Sequence, residues 1–156
     1  MKIKRDEKDY EESNYRKKYR EDPKKDFRCG YCKNMVPAES IGTAHRNHCP
    51  TCGYSRHIDN RTGHVNSTCK SLMAPVGLMW KSEGEISLVH LCLGCETIDY
   101  NRIAGDDNPE MILGIYQASA NIEDKLVGLL SAQRITLILP EEEYMVRVRL
   151  FGQGDY

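Results

Sequence analysis

No run of apolar residues in this chain approaches the roughly 20 that a bilayer-spanning helix needs. The opening residues, Met1-Lys-Ile-Lys-Arg-Asp-Glu-Lys, hold no apolar segment of the kind a secretory signal carries. These two absences predict a protein of the cytoplasm that does not engage a membrane. Phe and Trp are also scarce: two Phe and one Trp in 156 residues, with hydrophobic content at 40%. That makes a thin core for one domain with extensions, so a second source of stability is expected. No sign of charge dominates either, the net charge being −1. Residues 1–26 carry ten Lys/Arg against eight Asp/Glu, residues 27–104 eight against six, and residues 105–156 four against nine. This asymmetry is too mild to mark a nucleic-acid footprint by itself.

What the chain does have is cysteine. Three Cys-x-x-Cys pairs, Cys29/Cys32, Cys49/Cys52 and Cys92/Cys95, are joined by a lone Cys69. In a reducing compartment such pairs are metal ligands rather than disulfides. No βαβ pattern surrounds them, which argues against a thioredoxin-like redox centre. A two-residue spacer lets both thiolates face one ion, and two pairs, or one pair with a Cys and a His, close a tetrahedral zinc shell. Two zinc ions need eight ligands, so a histidine must join the seven cysteines. His57 falls into the series between Cys52 and Cys69 and is the expected eighth ligand. His90, one residue removed from Cys92, is ligand or ligand support. His48 abuts Cys49 and is expected to hydrogen-bond a thiolate or carbonyl near the metal. His64 reads as a loop residue, and His45 is the least constrained.

Three pairings stay open. Consecutive pairing joins the first two knuckles and leaves His57, Cys69, Cys92 and Cys95. Nested pairing joins the first knuckle to the third. Cross-braced pairing interleaves them. Zinc ribbons bring two knuckles together directly, which favours the first two schemes.

The expected fold is small, α+β and metal-stabilised: a zinc-ribbon-like core with two zinc sites, then C-terminal helices and a β-hairpin. Residues 1–26 form a charged extension, with Glu12 and Arg16 at helical spacing, Tyr15 and Tyr19 on one face and Pro23 as a stop. Within the cysteine-rich region, Ile86-Ser-Leu-Val-His-Leu reads as a strand entering the third knuckle. In residues 109–156, Asn108-Pro109 opens a helix carrying Met111, Ile112, Ile115 and Tyr116. Asn121 is expected to cap a second helix that turns Ile122, Leu126, Leu129 and Leu130 inward. Ile135-Thr-Leu-Ile-Leu and Tyr144-Met-Val-Arg-Val-Arg-Leu read as paired strands around Pro140, with Arg147 and Arg149 outward.

The string His45-Arg46-Asn47-His48-Cys49-Pro50-x-Cys52 resembles the signature of the RNHCP family, small bacterial proteins named for the run that here spans Arg46 to Pro50. The resemblance takes in Phe27-Arg-Cys-Gly-Tyr-Cys32, Gly42-Thr43, Cys52-Gly-Tyr-Ser-Arg-His57, Cys69, Met73-Ala-Pro75, Val89-His90-x-Cys92-x-x-Cys95 and Asn101-Arg-Ile-Ala-x-Asp-Asp-Asn108. It covers residues 27–108 and implies a bacterial origin and a metal-bound core. It implies no activity and does not reach residues 1–26 or 109–156.

Three functions fit these residues. The first is a zinc-ribbon module for RNA, structured or ribosomal, contacted through Arg28, Lys33, His45, Arg46, Arg56, Arg61 and Lys70 on or near the knuckles. The second is an HNH-type metal-dependent nuclease drawing on His45, Asn47, His48 and the Asp106-Asp107-Asn108 run. There the objection is that His48 abuts a structural ligand and that the run serves to cap a helix. The third is a protein-interaction adaptor that docks through the termini, using Arg147, Arg149 and Glu141–Glu143.

Overall fold

The computed structural model describes residues 26–39, 46–57 and 69–152. The expected N-terminal helix, His45, Arg61 and His64 lie outside the described residues. Two short strands, β1 (Phe27–Arg28) and β2 (Met35–Val36), form a hairpin around the first Cys-x-x-Cys. A three-stranded antiparallel sheet follows, in the order β3 (Met73–Trp80), β4 (Ile86–Cys92), β5 (Ile98–Arg102). Three helices complete the described chain: α1 (Pro109–Ala118), α2 (Asp124–Ala132) and α3 (Glu143–Phe151). This is the small α+β fold expected. None of the helices is long and apolar enough to cross a membrane.

Strand β4 lies between two partners, and its side chains alternate between two buried faces. Ile86 and Leu88, with Leu78 of β3, pack against Ile112, Leu113 and Tyr116 of α1, Ile138, and Val146 of α3. On the other face Val89 and Ile98 meet Leu130 of α2, with Ile122, Leu126 and Leu129 partly buried beside them. Each fully buried side chain of this size contributes about 1.5–3 kcal/mol. The C-terminal residues therefore complete the core of the sheet on both sides.

Helix α1 begins as the sequence indicates. Asn108 Oδ1 accepts from the Glu110 N–H at 3.0 Å, and Pro109 takes the first helical position, where no N–H is needed. Two expectations need correction. Asn121 closes a 3-10 turn, Ser119–Asn121, and α2 starts later, at Asp124. The C-terminal hairpin is not formed. Residues 135–139 form no regular element and give one backbone bond to the sheet, Ile138 N–H to Leu78 O at 2.8 Å. Tyr144 to Leu150 are helical. Pro140 opens a 3-10 turn in which Glu142 accepts from the Leu139 N–H, a helix-start arrangement that overrides the period-2 alternation of the side chains. Arg147 pairs with Glu143 one turn back, and Arg149 Nε donates to Gly84 O at 2.6 Å, so both guanidinium groups serve the fold.

Candidate metal centres

The three Cys-x-x-Cys turns share one backbone geometry. In each, the residue after the second cysteine has a left-handed φ: 66° at Lys33, 80° at Gly53 and 62° at Glu96. Its N–H donates to the carbonyl of the first cysteine, at 3.1, 2.9 and 3.1 Å. The N–H of the first cysteine donates to the residue beyond, Asn34, Tyr54 or Thr97, at 2.8–2.9 Å. Such a turn aims main-chain N–H groups at the sulfurs. Tyr31 N–H donates to Cys29 Sγ at 3.4 Å. The amides of Asn34, Tyr54 and Thr97 favour the thiolates of Cys32, Cys52 and Cys95. The third turn is also the β4–β5 connection, so Cys92 ends a strand and Cys95 follows it in the turn.

Eight side chains converge into two groups, within each of which the ligand atoms lie within 4.8 Å of one another. The first holds Cys29, Cys32, Cys49 and Cys52; the second holds His57, Cys69, Cys92 and Cys95. Among the three pairings the sequence leaves open, the folded chain adopts the consecutive one. Cys29 and Cys52 Sγ are 3.6 Å apart, as are Cys32 and Cys49. Cys69 and Cys92 are separated by 3.4 Å, and Cys95 Sγ from His57 Nδ1 by 3.7 Å. A disulfide would require about 2.05 Å. Sulfurs around a tetrahedral zinc at 2.3 Å stand about 3.8 Å apart, so both donor sets fit that ion. Burial, with the neighbouring cysteines adding to it, pushes the Cys49, Cys52 and Cys92 thiols up, and a bound cation would favour their thiolates. Cys95 is exposed, and the Thr97 hydroxyl and N–H pull its thiol down to about 7.

A family model, the RNHCP domain, matches residues 24–113, more than half of the chain. The chain belongs to the RNHCP family. No curated protein and no solved structure matches it.

The RNHCP run has a physical reason that its spacing alone does not reveal. Arg46 is 1% exposed and forms an ion pair with Asp106. Asn47 Nδ2 donates to Asn101 Oδ1 at 3.4 Å. His48 Nε2 lies 2.6 Å from Asp107 Oδ2, which also accepts the Ala104 N–H at 2.8 Å. Cys49 joins the first metal group, and Pro50 O accepts the Asn108 N–H at 3.0 Å. Each residue of the run thus meets either the metal group or the string Asn101–Asn108, and the two halves of the motif lock together. His90 closes the same seam: its Nε2–H donates to Gly53 O at 2.7 Å, and burial lowers its pKa to about 4, so it is neutral at pH 7. Ser55 ties the middle knuckle to β3 by a pair of 3.0 Å backbone bonds with Met73.

Several sequence expectations change here. His48 bonds a carboxylate, not a thiolate or carbonyl. His90 supports the first metal group through Gly53 and lies outside both groups. Arg46 is enclosed and paired, so it presents nothing to a nucleic acid. Arg56 is half-buried, with its guanidinium 3.7 Å from the centre of the Phe27 ring. Arg28, Lys33 and Lys70 are exposed. Of the groups an HNH-type site would draw on, His48 is buried against Asp107, Asp106 is paired with Arg46, and Asn108 caps α1.

Proposed function

We propose that the chain is a two-zinc RNA-binding module of the cytoplasm. Cys29, Cys32, Cys49 and Cys52 hold one zinc ion; His57, Cys69, Cys92 and Cys95 hold the other. Zinc supplies folding free energy there, since it binds deprotonated ligands that only the folded chain brings together. Structural sites of this kind are closed by four protein ligands and leave no position for a reacting water. A binding role therefore fits them better than catalysis.

The observation that carries the RNA reading is the exposure of Arg28, Lys33 and Lys70, each next in sequence to a cysteine of one of the two metal groups. Rigid turns that hold cations in place suit phosphate contacts. RNA, free or within the ribosome, is the partner this arrangement fits. The test is a titration of zinc-loaded protein with labelled RNA across a salt series. Affinity should fall as salt rises, and Arg28→Gln, Lys33→Gln and Lys70→Gln should each weaken it with zinc content unchanged. Binding that ignores both salt and these substitutions would contradict the reading.

A further inference from the structure

We infer that the open face of Tyr31 is a stacking platform for an unpaired nucleobase, with Arg28 and Lys33 placed to take the adjoining phosphates. The inference rests on the RNA reading and narrows it to unpaired nucleotides.

Tyr31 lies inside the first knuckle, between Cys29 and Cys32. Its ring is parallel to that of Tyr54 to within 2°, with centroids 3.8 Å apart. Tyr54 follows the second knuckle, two residues after Cys52. The pair thus bridges both turns of the first metal group, and one face of Tyr31 is covered by Tyr54. Tyr31 is nevertheless 57% exposed, which leaves its other face to solvent. The Tyr31 N–H is also committed to Cys29 Sγ. Backbone and ring are therefore positioned before any ligand arrives, and little ordering cost remains to be met on binding. A fixed aromatic face open to water can continue its own stack onto a base, whichever base that is.

The surrounding charge fits the rest of a nucleotide. Residues 27–36 contain Arg28 and Lys33 and no carboxylate. Arg28 Nη1 donates to Lys33 O at 2.8 Å, and Lys33 Nζ donates to Gly30 O at 2.7 Å. Each cation is steadied by one such bond and keeps further N–H groups for phosphate oxygens. A base inside a duplex has both faces covered by its neighbours. Away from helix ends, a loop, bulge or single strand is needed to offer a face to Tyr31.

The experiment uses the full zinc-loaded chain and three labelled probes of matched sequence: an RNA hairpin with an unpaired loop, a fully paired RNA duplex, and single-stranded DNA. The hairpin should bind well above the duplex. Tyr31→Ala should weaken hairpin binding about tenfold, while Tyr31→Trp should preserve it. Tyr31→Leu keeps an apolar contact for Tyr54 without the π face. It should behave like Tyr31→Ala, and it serves as the test if Tyr31→Ala sheds zinc. Single-stranded DNA binding as well as the hairpin would still support base stacking and would show that the sugar is not read. Hairpin binding unaltered in Tyr31→Leu, or duplex binding equal to hairpin binding, overturns the platform while leaving RNA binding intact. Binding to none of the probes overturns the RNA reading itself, and the platform with it.

Discussion

Lys33, Gly53 and Glu96 occupy one position in three equivalent turns, yet only the middle turn uses glycine for its left-handed backbone. There the choice is doubly enforced, because a Cβ on Gly53 would come within 2.9 Å of Ile115 Cδ1. At Lys33 a side chain persists at a backbone cost of about 1 kcal/mol. We therefore expect Lys33→Gly to raise the unfolding free energy of the zinc-loaded chain by up to about 1 kcal/mol in urea titrations, even as it weakens RNA binding. Asp107 gives the opposite case. Its buried carboxylate accepts from the Ala104 N–H and bonds His48. Asp107→Ala leaves both without a partner, and a loss of about 2–4 kcal/mol is expected in the same titration. A loss under 0.5 kcal/mol would mean that water replaces the carboxylate and that the seam is not closed there. These contacts were hard to read in the sequence, because Arg46–His48 and Asp106–Asp107 lie about sixty residues apart in the chain. Local spacing says nothing of such a distance.

At the level of elements, the knuckles were legible and the C-terminal segment was not. A Cys-x-x-Cys pair encodes its own turn, so spacing alone located three of them, and β4 followed from its apolar run. Residues 144–150 carry apolar groups at every second position, which reads as a strand. The helix-start signals at Pro140 and Glu141–Glu143 act just upstream of that pattern, and packing of Val146 against the sheet settles the matter. A pair of substitutions checks this element. In a strand, Tyr144 and Val146 would share a face. In α3, Val146 is fully buried and Tyr144 is 70% exposed. Val146→Asp should unfold the chain or cost more than about 3 kcal/mol, while Tyr144→Asp should change stability by less than about 0.5 kcal/mol. Equal losses would favour the hairpin.

Across the whole molecule, the two metal groups are not independent. Only four residues separate Cys52 of the first group from His57 of the second, and Ser55 between them is bonded to β3. His90 ties Gly53 to the strand that ends at Cys92. Losing the first metal frees the segment that delivers His57, so Cys29→Ser with Cys32→Ser should weaken metal binding at the second group as well. Cobalt(II) titration reads this directly, since four-sulfur and three-sulfur–one-nitrogen sites absorb differently. Unchanged affinity at the second group would show that the sites are separate. The central claim is that eight named ligands hold two zinc ions, and zinc-edge X-ray absorption of the purified chain, normalised to protein, tests it most directly. Two zinc ions per chain, sharing seven sulfur ligands and one imidazole nitrogen, are predicted. A single ion per chain, or shells in which oxygen replaces sulfur, would contradict it.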